Sequence, residues 1–458
     1  MSGGVKQQRR PLLGWVLWIG LFPMPGWGMG LEEALDAALQ NDPAYRSAMH
    51  ERDAGAESVA LGRSHLLPNL SVDYQRGANQ LGITNVGSPQ PTQQFRYISD
   101  VTMLSLRQPL FNMADMAMYR QGTAQANYSD AQFSGRTQEL ILRLVQSYTD
   151  VLYAQDMLDY KEAQHRAYGE QMQMNQRLFD KGQGTLTDSL ETQTKYAMSE
   201  SQVIESQESL AAAKRNLSAM VGSDVNDLEP MIDRFHPQPL EPADFDGWKS
   251  LALDHNPDIA AQRYAVDASE QEMKKDQAGH APQLDLVGSV GRNNQGTIYT
   301  YGQDMFVRSI GVELSIPLYA GGYVSALSSQ ARANMEKTRS DLEDKKNKLF
   351  VDLYRQYGSV ISSYARIRAL EQAVEVAKKL IDATRMSIRG GERINLDLLN
   401  AQSQYYQARS DLAKARYDYL NSFLHLNADA GTLSAEDIKK LGKSFARSTA
   451  VTVREMQP

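Results

Sequence analysis

Four short stretches of the chain alternate apolar and polar residues. Two of them follow Pro68 and Pro282, in the phrases "LLPNLSVDYQRG" and "HAPQLDLVGSVG". The other two run into the phrases "QPLFNMA" and "SIPLYAGG". Because a period of two places successive side chains on opposite faces of a β-strand, the pattern predicts two β-hairpins. On the apolar faces we expect contact with lipid, at positions that include Val72, Leu104, Leu286 and Val312.

Proline-containing and polar segments flank these strands. The pairs Asp42–Pro43 and Asn256–Pro257 are typical of helix starts, because Asp or Asn caps the first turn and proline fits its first position. Each predicts a helix of about 20 residues that ends at the strand proline. Between the strands of each hairpin, the segments 77–99 and 291–307 are rich in Gly, Asn and Gln and predict loops.

A very long helix is predicted after each hairpin. Residues 111–181 and 319–389 each cover 71 residues with almost no helix breaker. At 1.5 Å per residue, each helix would be on the order of 100 Å long. Apolar residues recur at steps of three and four in a narrow stripe, which is typical of a coiled-coil seam. A glycine-containing turn, "DKGQG" or "RGGER", then leads into a second long helix.

The same order of elements occurs twice along the chain. Pro43 and Pro257 are 214 positions apart, and so are Pro68 and Pro282. The phrases "RQPLFNMA" and "SIPLYAGG" are offset by 208 positions, and the two turn phrases by 209. Four anchors in one order predict an internal structural repeat.

These landmarks divide the chain into five segments. Residues 1–30 are expected to be a signal peptide cleaved within 26–30, because a basic start precedes an apolar run that is shorter than a membrane span. The remaining segments are a first repeat (31–228, hairpin about 68–110, turn about 181–187), a connector (229–247), a second repeat (248–431, hairpin about 282–319, turn about 389–396) and a tail (432–458).

Composition and motifs exclude several kinds of site. The 458 residues include no cysteine, which rules out disulfides, thiolate metal sites and cysteine nucleophiles. The seven histidines are scattered without metal-ligand spacing, so the sequence predicts no catalytic residue, no cofactor and no metal site. A net charge of −7 gives no support for a nucleic-acid partner.

Four strands are too few to form a closed barrel. Bacterial outer-membrane barrels have at least about eight strands, and an open strand edge in lipid leaves backbone groups without hydrogen bonds. The chain is therefore expected to oligomerise, so that each copy adds two hairpins to a shared barrel in the outer membrane lipid. The long helices would continue this barrel as a tube, and the assembly would be a conduit.

Seven phrases together resemble the TolC-like outer membrane factor family over essentially all of the chain after the predicted signal. They are "DPAYRSAMHERDAG", "LLPNLSVDY", "QPLFNMA", "GHAPQLDLVGSVG", "SIPLYAGG", "LDLLNAQ" and "ARYDYLNSFLHLNADAGTL". The resemblance implies a mixed α and β membrane protein that forms a homotrimer. A twelve-stranded barrel, with four strands per chain, would be continued by a periplasmic coiled-coil barrel of helices. The connector and the tail would form an equatorial belt, unless the tail is disordered.

The same resemblance implies partners and a function. Members of the family are exit channels of tripartite export systems, in which they dock to a periplasmic adaptor protein and an inner-membrane pump such as an ABC transporter. For this chain we expect type I protein secretion, with multidrug efflux as the alternative. A pore-free periplasmic coiled-coil scaffold is an alternative of a different class, although it leaves the four alternating strands unexplained.

Five residues near the two turns match the positions that close the periplasmic end in this family. Asp397 matches an acidic gate residue, and Asn400 stands one turn later where the family has a second aspartate. Arg393 matches a linking arginine, whose partners on the other turn match Thr187 and Asp188. The alternative for the two aspartates is that they only cap the helices that follow the turns.

Overall fold

The computed structural model of the chain describes residues 28–83, 87, 91, 93–231, 240–295, 304–442 and 445. The predicted signal peptide, apart from residues 28–30, lies outside the described residues. Part of the predicted connector and most of the predicted tail also lie outside them.

The first half of the chain contains seven described elements. Three helices come first, followed by two strands and then by a long and a shorter helix. They are α1 (Leu31–Asn41), α2 (Pro43–Ala56), α3 (Ser58–Ser64), β1 (Asn69–Ile83), β2 (Gln93–Phe111), α4 (Met113–Asp180) and α5 (Leu186–Val221).

The second half presents a similar order. Two helices and a short 3-10 turn (Ala278–His280) precede two strands, and three helices follow them. The elements are α6 (Phe245–His255), α7 (Pro257–Gln277), β3 (Gln283–Gln295), β4 (Asp304–Ser315), α8 (Tyr323–Arg389), α9 (Asn395–Asp429) and α10 (Ala435–Gly442).

The predicted helix starts at the two Asx–Pro pairs are confirmed. The side chain of Asp42 accepts a hydrogen bond of 2.7 Å from the backbone N–H of Tyr45, and Pro43 occupies the first position of α2. Asn256 caps α7 in the same way, since its Oδ1 accepts from the N–H of Ile259 at 3.0 Å. Each cap satisfies a backbone donor that has no partner inside the helix.

Two local predictions are wrong, and three helices (α1, α6 and α10) were not predicted. The helix of about 20 residues expected from Pro43 to the strand proline is divided at Glu57 into α2 and α3. Most of the predicted loops 77–99 and 291–307 is strand, because the ladder continues to Ile83 opposite Gln93 and to the pair at positions 294 and 304. Backbone pairing continues through polar residues because the ladder uses only main-chain groups.

The four strands form one antiparallel sheet in the order β1-β2-β3-β4. The central pairing joins the two hairpins, since β2 and β3 are hydrogen-bonded from Ser99 opposite Gln295 to Phe111 opposite Leu284. Within the described part of the chain, β1 and β4 are the edge strands of this sheet. Each edge presents a row of unpaired backbone groups.

The other helices pack differently against the two ends of the long helices α4 and α8. Next to the sheet, α4 is in contact with α2, α3 and α7, and α7 is also in contact with α8. Farther away, α4 pairs with α5 and α8 pairs with α9, while α4 and α9 join the two pairs. In the described residues, no helix combines the length and the apolar character that crossing a membrane requires.

The main hydrophobic core lies near the middle of the long helices. Trp248 and Tyr148 are fully buried there, and Leu144 and Leu424 pack in the same cluster. The indole N–H of Trp248 donates a hydrogen bond of 2.7 Å to the carbonyl of Pro242. Both aromatic side chains therefore bury apolar area while their polar atoms have partners, as Tyr148 donates to the carbonyl of Met29 at 3.0 Å.

Asp429, the last residue of α9, is a partly buried carboxylate at the edge of this core. Its burial, with the nearby charges of Asp352 and Asp258, raises the pKa of Asp429 to about 7, and Arg355 opposes the shift. A carboxyl group whose pKa is higher in the folded than in the unfolded state takes up a proton on folding. Its contribution to stability therefore falls as the pH rises from about 4 to about 7.

We expect the Asp429→Asn protein to unfold at a higher temperature than the natural protein at pH 8, because the amide carries no buried charge. The difference should shrink at pH 5, where Asp429 itself is neutral. Circular dichroism melting of the detergent-solubilised protein measures both values. Asp382→Asn changes a carboxylate with 59% exposure on α8 and is the control. A gain of equal size at both pH values would contradict the expected titration.

Candidate functional site

One face of the sheet is apolar and exposed. Val72 is directly opposite Leu104, and Leu286 is directly opposite Val312. Leu104 is also opposite Val290, which lies on the same side of β3 as Leu286. Because opposed residues share a face, all four positions predicted to face lipid lie on one side of the sheet. Val72 and Val312 are 67% and 61% exposed.

The other face of the sheet is polar. Arg107 on β2 lies 2.6 Å from Asp285 on β3, and the carboxylate side chain is only 8% exposed. The hydroxyls of Ser289 and Ser309 are 2.6 Å apart on the same face. The sheet therefore has one surface suited to an apolar medium and one suited to water.

Each hairpin leads directly into a long helix. Asn112 is the single residue between β2 and α4, and its side chain accepts hydrogen bonds from the N–H groups of Ala114 and Asp115 at 2.9 and 3.3 Å. Between β4 and α8, Gly321 and Gly322 have φ values of 62° and 82°, in a region that favours glycine. The chain thus passes from strand to helix without an intervening domain.

The two turns at the far end of the helices share a left-handed glycine. Gly182 and Gly391 have φ values of 71° and 76°. After the first turn, the hydroxyl of Thr185 accepts a 3.0 Å hydrogen bond from the N–H of Asp188 and donates one of 2.6 Å to its carboxylate. Asp188 thus takes part in capping α5, which was the alternative interpretation of this residue.

The five predicted gate residues are divided between these turns. Arg393 lies 4.0 Å from Asp397 in the first turn of α9, and their side chains are 52% and 38% exposed. Asn400 is exposed on the same helix, whereas Thr187 and Asp188 lie at the start of α5. Within the described residues, no ion pair or hydrogen bond joins Arg393 to Thr187 or Asp188. The single chain therefore brings together only the residues of its second turn.

Towards the turns, the buried side chains of α4 and α5 change from mostly apolar to mostly polar. Near the middle, α4 buries Leu140, Leu144 and Val151. Closer to the turns the buried side chains of α4 and α5 are polar, and they include Gln164, Asn175, Ser189 and Thr192. Side-chain hydrogen bonds therefore supplement apolar contacts in this part of α4 and α5.

One of these hydrogen bonds joins the two helix pairs, since Gln171 on α4 donates to the side-chain oxygen of Asn395 on α9. Asn175 donates to the backbone carbonyl of Asp188 at 3.3 Å. The sequence reasoning missed these residues. The available signal was the appearance of Gln and Asn at seam positions that are occupied by Leu and Val earlier in α4.

A cavity of about 650 Å³ lies between α4, α9 and the described start of the connector. Tyr417 donates a hydrogen bond of 2.9 Å to the carboxylate of Asp156, and burial raises the pKa of this aspartate. The guanidinium of Arg409 lies 4.4 Å from the ring centroid of Tyr160. This charged cavity was not predicted, because its residues are far apart in the sequence.

Comparison with known families and proteins gives consistent results. The model of the outer membrane efflux protein family matches residues 34–223 and 248–432. The alkaline protease secretion protein AprF of Pseudomonas aeruginosa is 40% identical over 441 residues, which cover 95% of this chain and 92% of that protein. The proteases secretion protein PrtF of Dickeya chrysanthemi is 38% identical, with 92% of each chain covered.

Among solved structures, the outer membrane protein VceC of Vibrio cholerae has a TM-score of 0.75 to this chain. The alignment covers 88% of this chain and 96% of that one, at 18% sequence identity. At this level of identity, the similarity shows a shared mixed α and β fold.

Proposed function

Because the chain belongs to the outer membrane efflux protein family, we propose that it is the exit channel of a type I protein secretion system. The family membership confirms the resemblance seen in the sequence. The protein is an outer membrane channel and not an enzyme, and its helical part lies in the periplasm. The observation that carries the proposal is the similarity to two protease secretion proteins over nearly the whole chain.

The proposed cargo is an extracellular protein of the protease class. This follows from the names of the two protease secretion proteins, which are 40% and 38% identical to this chain. Membership of a family of tripartite export systems implies a periplasmic adaptor and an inner-membrane pump as partners. For protein cargo, we propose that the pump is an ABC transporter.

The functional assembly in this proposal is a homotrimer. The sheet has two open edges within the described chain, and the bilayer offers no hydrogen bonds to satisfy them. Joining β4 of one copy to β1 of the next would close the sheet, and three copies would supply twelve strands. The apolar face with Val72, Leu104, Leu286 and Val312 would then face lipid, while the polar face with Arg107 and Asp285 would line the pore.

The predicted segments fit this assembly. The two repeats, 31–228 and 248–431, would each contribute one hairpin and one long helix pair. The connector 229–247 and the tail would lie around the middle of the tube, where α10 and α1 are already in contact. The predicted signal peptide, 1–30, would direct export of the chain and be removed.

The turns form the proposed periplasmic gate. In a trimer, three copies of Asp397 would surround the axis at the narrow end, with Asn400 one turn farther along α9. Arg393 would link to Thr187 or Asp188 of a neighbouring helix pair, in place of the exposed 4.0 Å contact with Asp397 found within one chain. Exposed ion pairs contribute only about 0–1 kcal/mol, so this exchange of partner costs little.

The proposal is tested in a strain that lacks its own exit channel and expresses an ABC transporter, an adaptor and a protease with a type I secretion signal. Expression of this chain should restore the protease to the medium while a periplasmic marker enzyme stays inside the cells. Protease that stays in the cells, although the chain is correctly located in the outer membrane, would contradict the assignment.

Small-molecule efflux is the second candidate, because the name of the family to which the chain belongs refers to efflux. The same strain, supplied with a drug pump and its adaptor, separates the two functions. Restored drug resistance without restored secretion would favour efflux as the main role.

A further inference from the structure

Charged residues on the apolar face of the sheet occur only from the fourth row onwards, counted from the helices. Residues opposite one another on neighbouring strands form rows across the face, which we count from the helices towards the hairpin loops. The first three described rows hold no charged residue. They contain Leu314, then Leu286 with Val312, and then Leu70 with Leu106 and Ile310. The rows nearer the loops hold four arginines and two aspartates, namely Arg76, Arg96, Arg292, Arg308, Asp100 and Asp304. This end of the face therefore carries a net positive charge.

Two of these arginines lie close together on the hairpin of β3 and β4. Arg292 is directly opposite Phe306, and Arg308 is opposite Val290, so that the two arginines are diagonal neighbours on one face. Diagonal neighbours in a sheet are about 7–8 Å apart, which is within reach of a single anion for side chains as long as arginine.

The two guanidinium groups have unused hydrogen-bond donors. Arg292 donates from Nε to one carboxylate oxygen of Asp304 at 2.7 Å and from Nη2 to the other, and its side chain is 67% exposed. Arg308 lies over the ring of Phe306 at 4.8 Å, and within the described residues it has no carboxylate partner. Since a guanidinium has five N–H donors, both arginines can bind a further anion while these contacts persist.

We propose that Arg292 and Arg308 bind a phosphate group of the lipid headgroups in the outer leaflet of the outer membrane. This inference rests on the proposed function, because it requires the apolar face to meet lipid and the hairpin loops to point outwards. Arginine binds phosphate with paired N–H donors, and the exposed ring of Phe306 suits the boundary between headgroups and acyl chains.

The distribution of charge favours this ligand over an adventitious anion. The outer leaflet of such membranes consists of lipopolysaccharide, whose lipid A carries phosphate groups. The arginines occur only from the row of Arg308, Val72 and Leu104 onwards, in the part of the face nearer the hairpin loops. Arg308 has no carboxylate partner within the described residues, whereas Arg107 on the polar face is paired with Asp285 at 2.6 Å. The lipid-facing arginines are therefore placed where an anionic headgroup can complete their hydrogen bonding.

The test compares binding of diphosphorylated lipid A and of its dephosphorylated form to the detergent-purified assembly by native mass spectrometry. The natural protein should prefer the phosphorylated lipid. Arg292→Gln and Arg308→Gln should each weaken this binding about fivefold, as expected for one arginine near an anionic lipid surface. Arg339→Gln and Arg385→Gln remove exposed charges of α8 and should leave lipid binding unchanged.

Two outcomes would overturn the inference. One is equal binding of both lipids, or undiminished binding by the variant that carries both Arg292→Gln and Arg308→Gln. The other is displacement of lipid A by millimolar inorganic phosphate, which would indicate a site for free phosphate instead of a headgroup.

A separate measurement tests the premise that the apolar face of the sheet is in contact with lipid. The chain has no cysteine, so Val312→Cys can carry a single fluorescent label. If brominated lipid quenches this label and the arginine variants still bind lipid A as the natural protein does, the phosphate site is rejected but the orientation of the sheet is kept. Absence of quenching would reject the proposed orientation of the sheet.

Discussion

Replacing Val312 by arginine is expected to destabilise the assembled channel by about 2–4 kcal/mol, the cost of a cationic side chain near the middle of the lipid-facing surface of a barrel. Val312 is 61% exposed in the single chain and lies opposite Leu286 in the uncharged part of the face. The arginine would lie between the rows of Leu314 and Ile310, so that its charge would have apolar neighbours on both sides along the strand. We therefore expect less trimer and a lower melting temperature.

The neighbouring position on the same strand provides a matched control. Glu313 lies on the polar face, directly opposite Asp285. Replacing Glu313 by arginine would remove one of two opposed carboxylates and place a cation beside Asp285. Glu313→Arg should therefore assemble as well as the natural protein, whereas Val312→Arg should not. Native mass spectrometry of the natural protein should show a trimer, and heat-modified gel migration reports the assembled fraction of each variant. Equal tolerance of arginine at both positions would show that the assigned faces are wrong.

Substitutions at the second turn should change the pore without affecting assembly. Three Asp397 carboxylates around the axis would attract cations and slow anions at the narrow end. Asp397→Ala should weaken the preference for cations and the block by multivalent cations. Arg393→Ser should remove the proposed link between neighbouring helix pairs, loosen the entrance and raise the single-channel conductance. Both variants are measured in planar bilayers at the same salt concentration, because salt screens the ring directly.

A similar pair of residues on α8 supplies the control for the gate. Asp382 and Arg385 are 3.8 Å apart and more than half exposed, as an ordinary surface pair of one helix. Asp382→Ala and Arg385→Ser should leave conductance, selectivity and block unchanged. If the variants at Asp397 and Arg393 behave like these controls, the two residues are ordinary turn residues and the gate lies elsewhere.

The sequence by itself determined the main strands and long helices and their order. Alternation at 70–74 and 310–316 predicted strands because a strand places successive side chains on opposite faces. Asp42 and Asn256 predicted helix starts because a side-chain oxygen before a proline can satisfy the first free N–H groups. The family resemblance was also readable, since short motifs retain their spacing.

Only the tertiary structure decided how distant segments meet. The pairing of β2 with β3, which joins the hairpins into one sheet, depends on strands about 190 residues apart, for which local periodicity carries no information. The link between Gln171 and Asn395 and the cavity beside Asp156 likewise depend on how helices pack. A local pattern fixes which face of an element is apolar, whereas the burial of that face against a particular partner is settled by the whole chain.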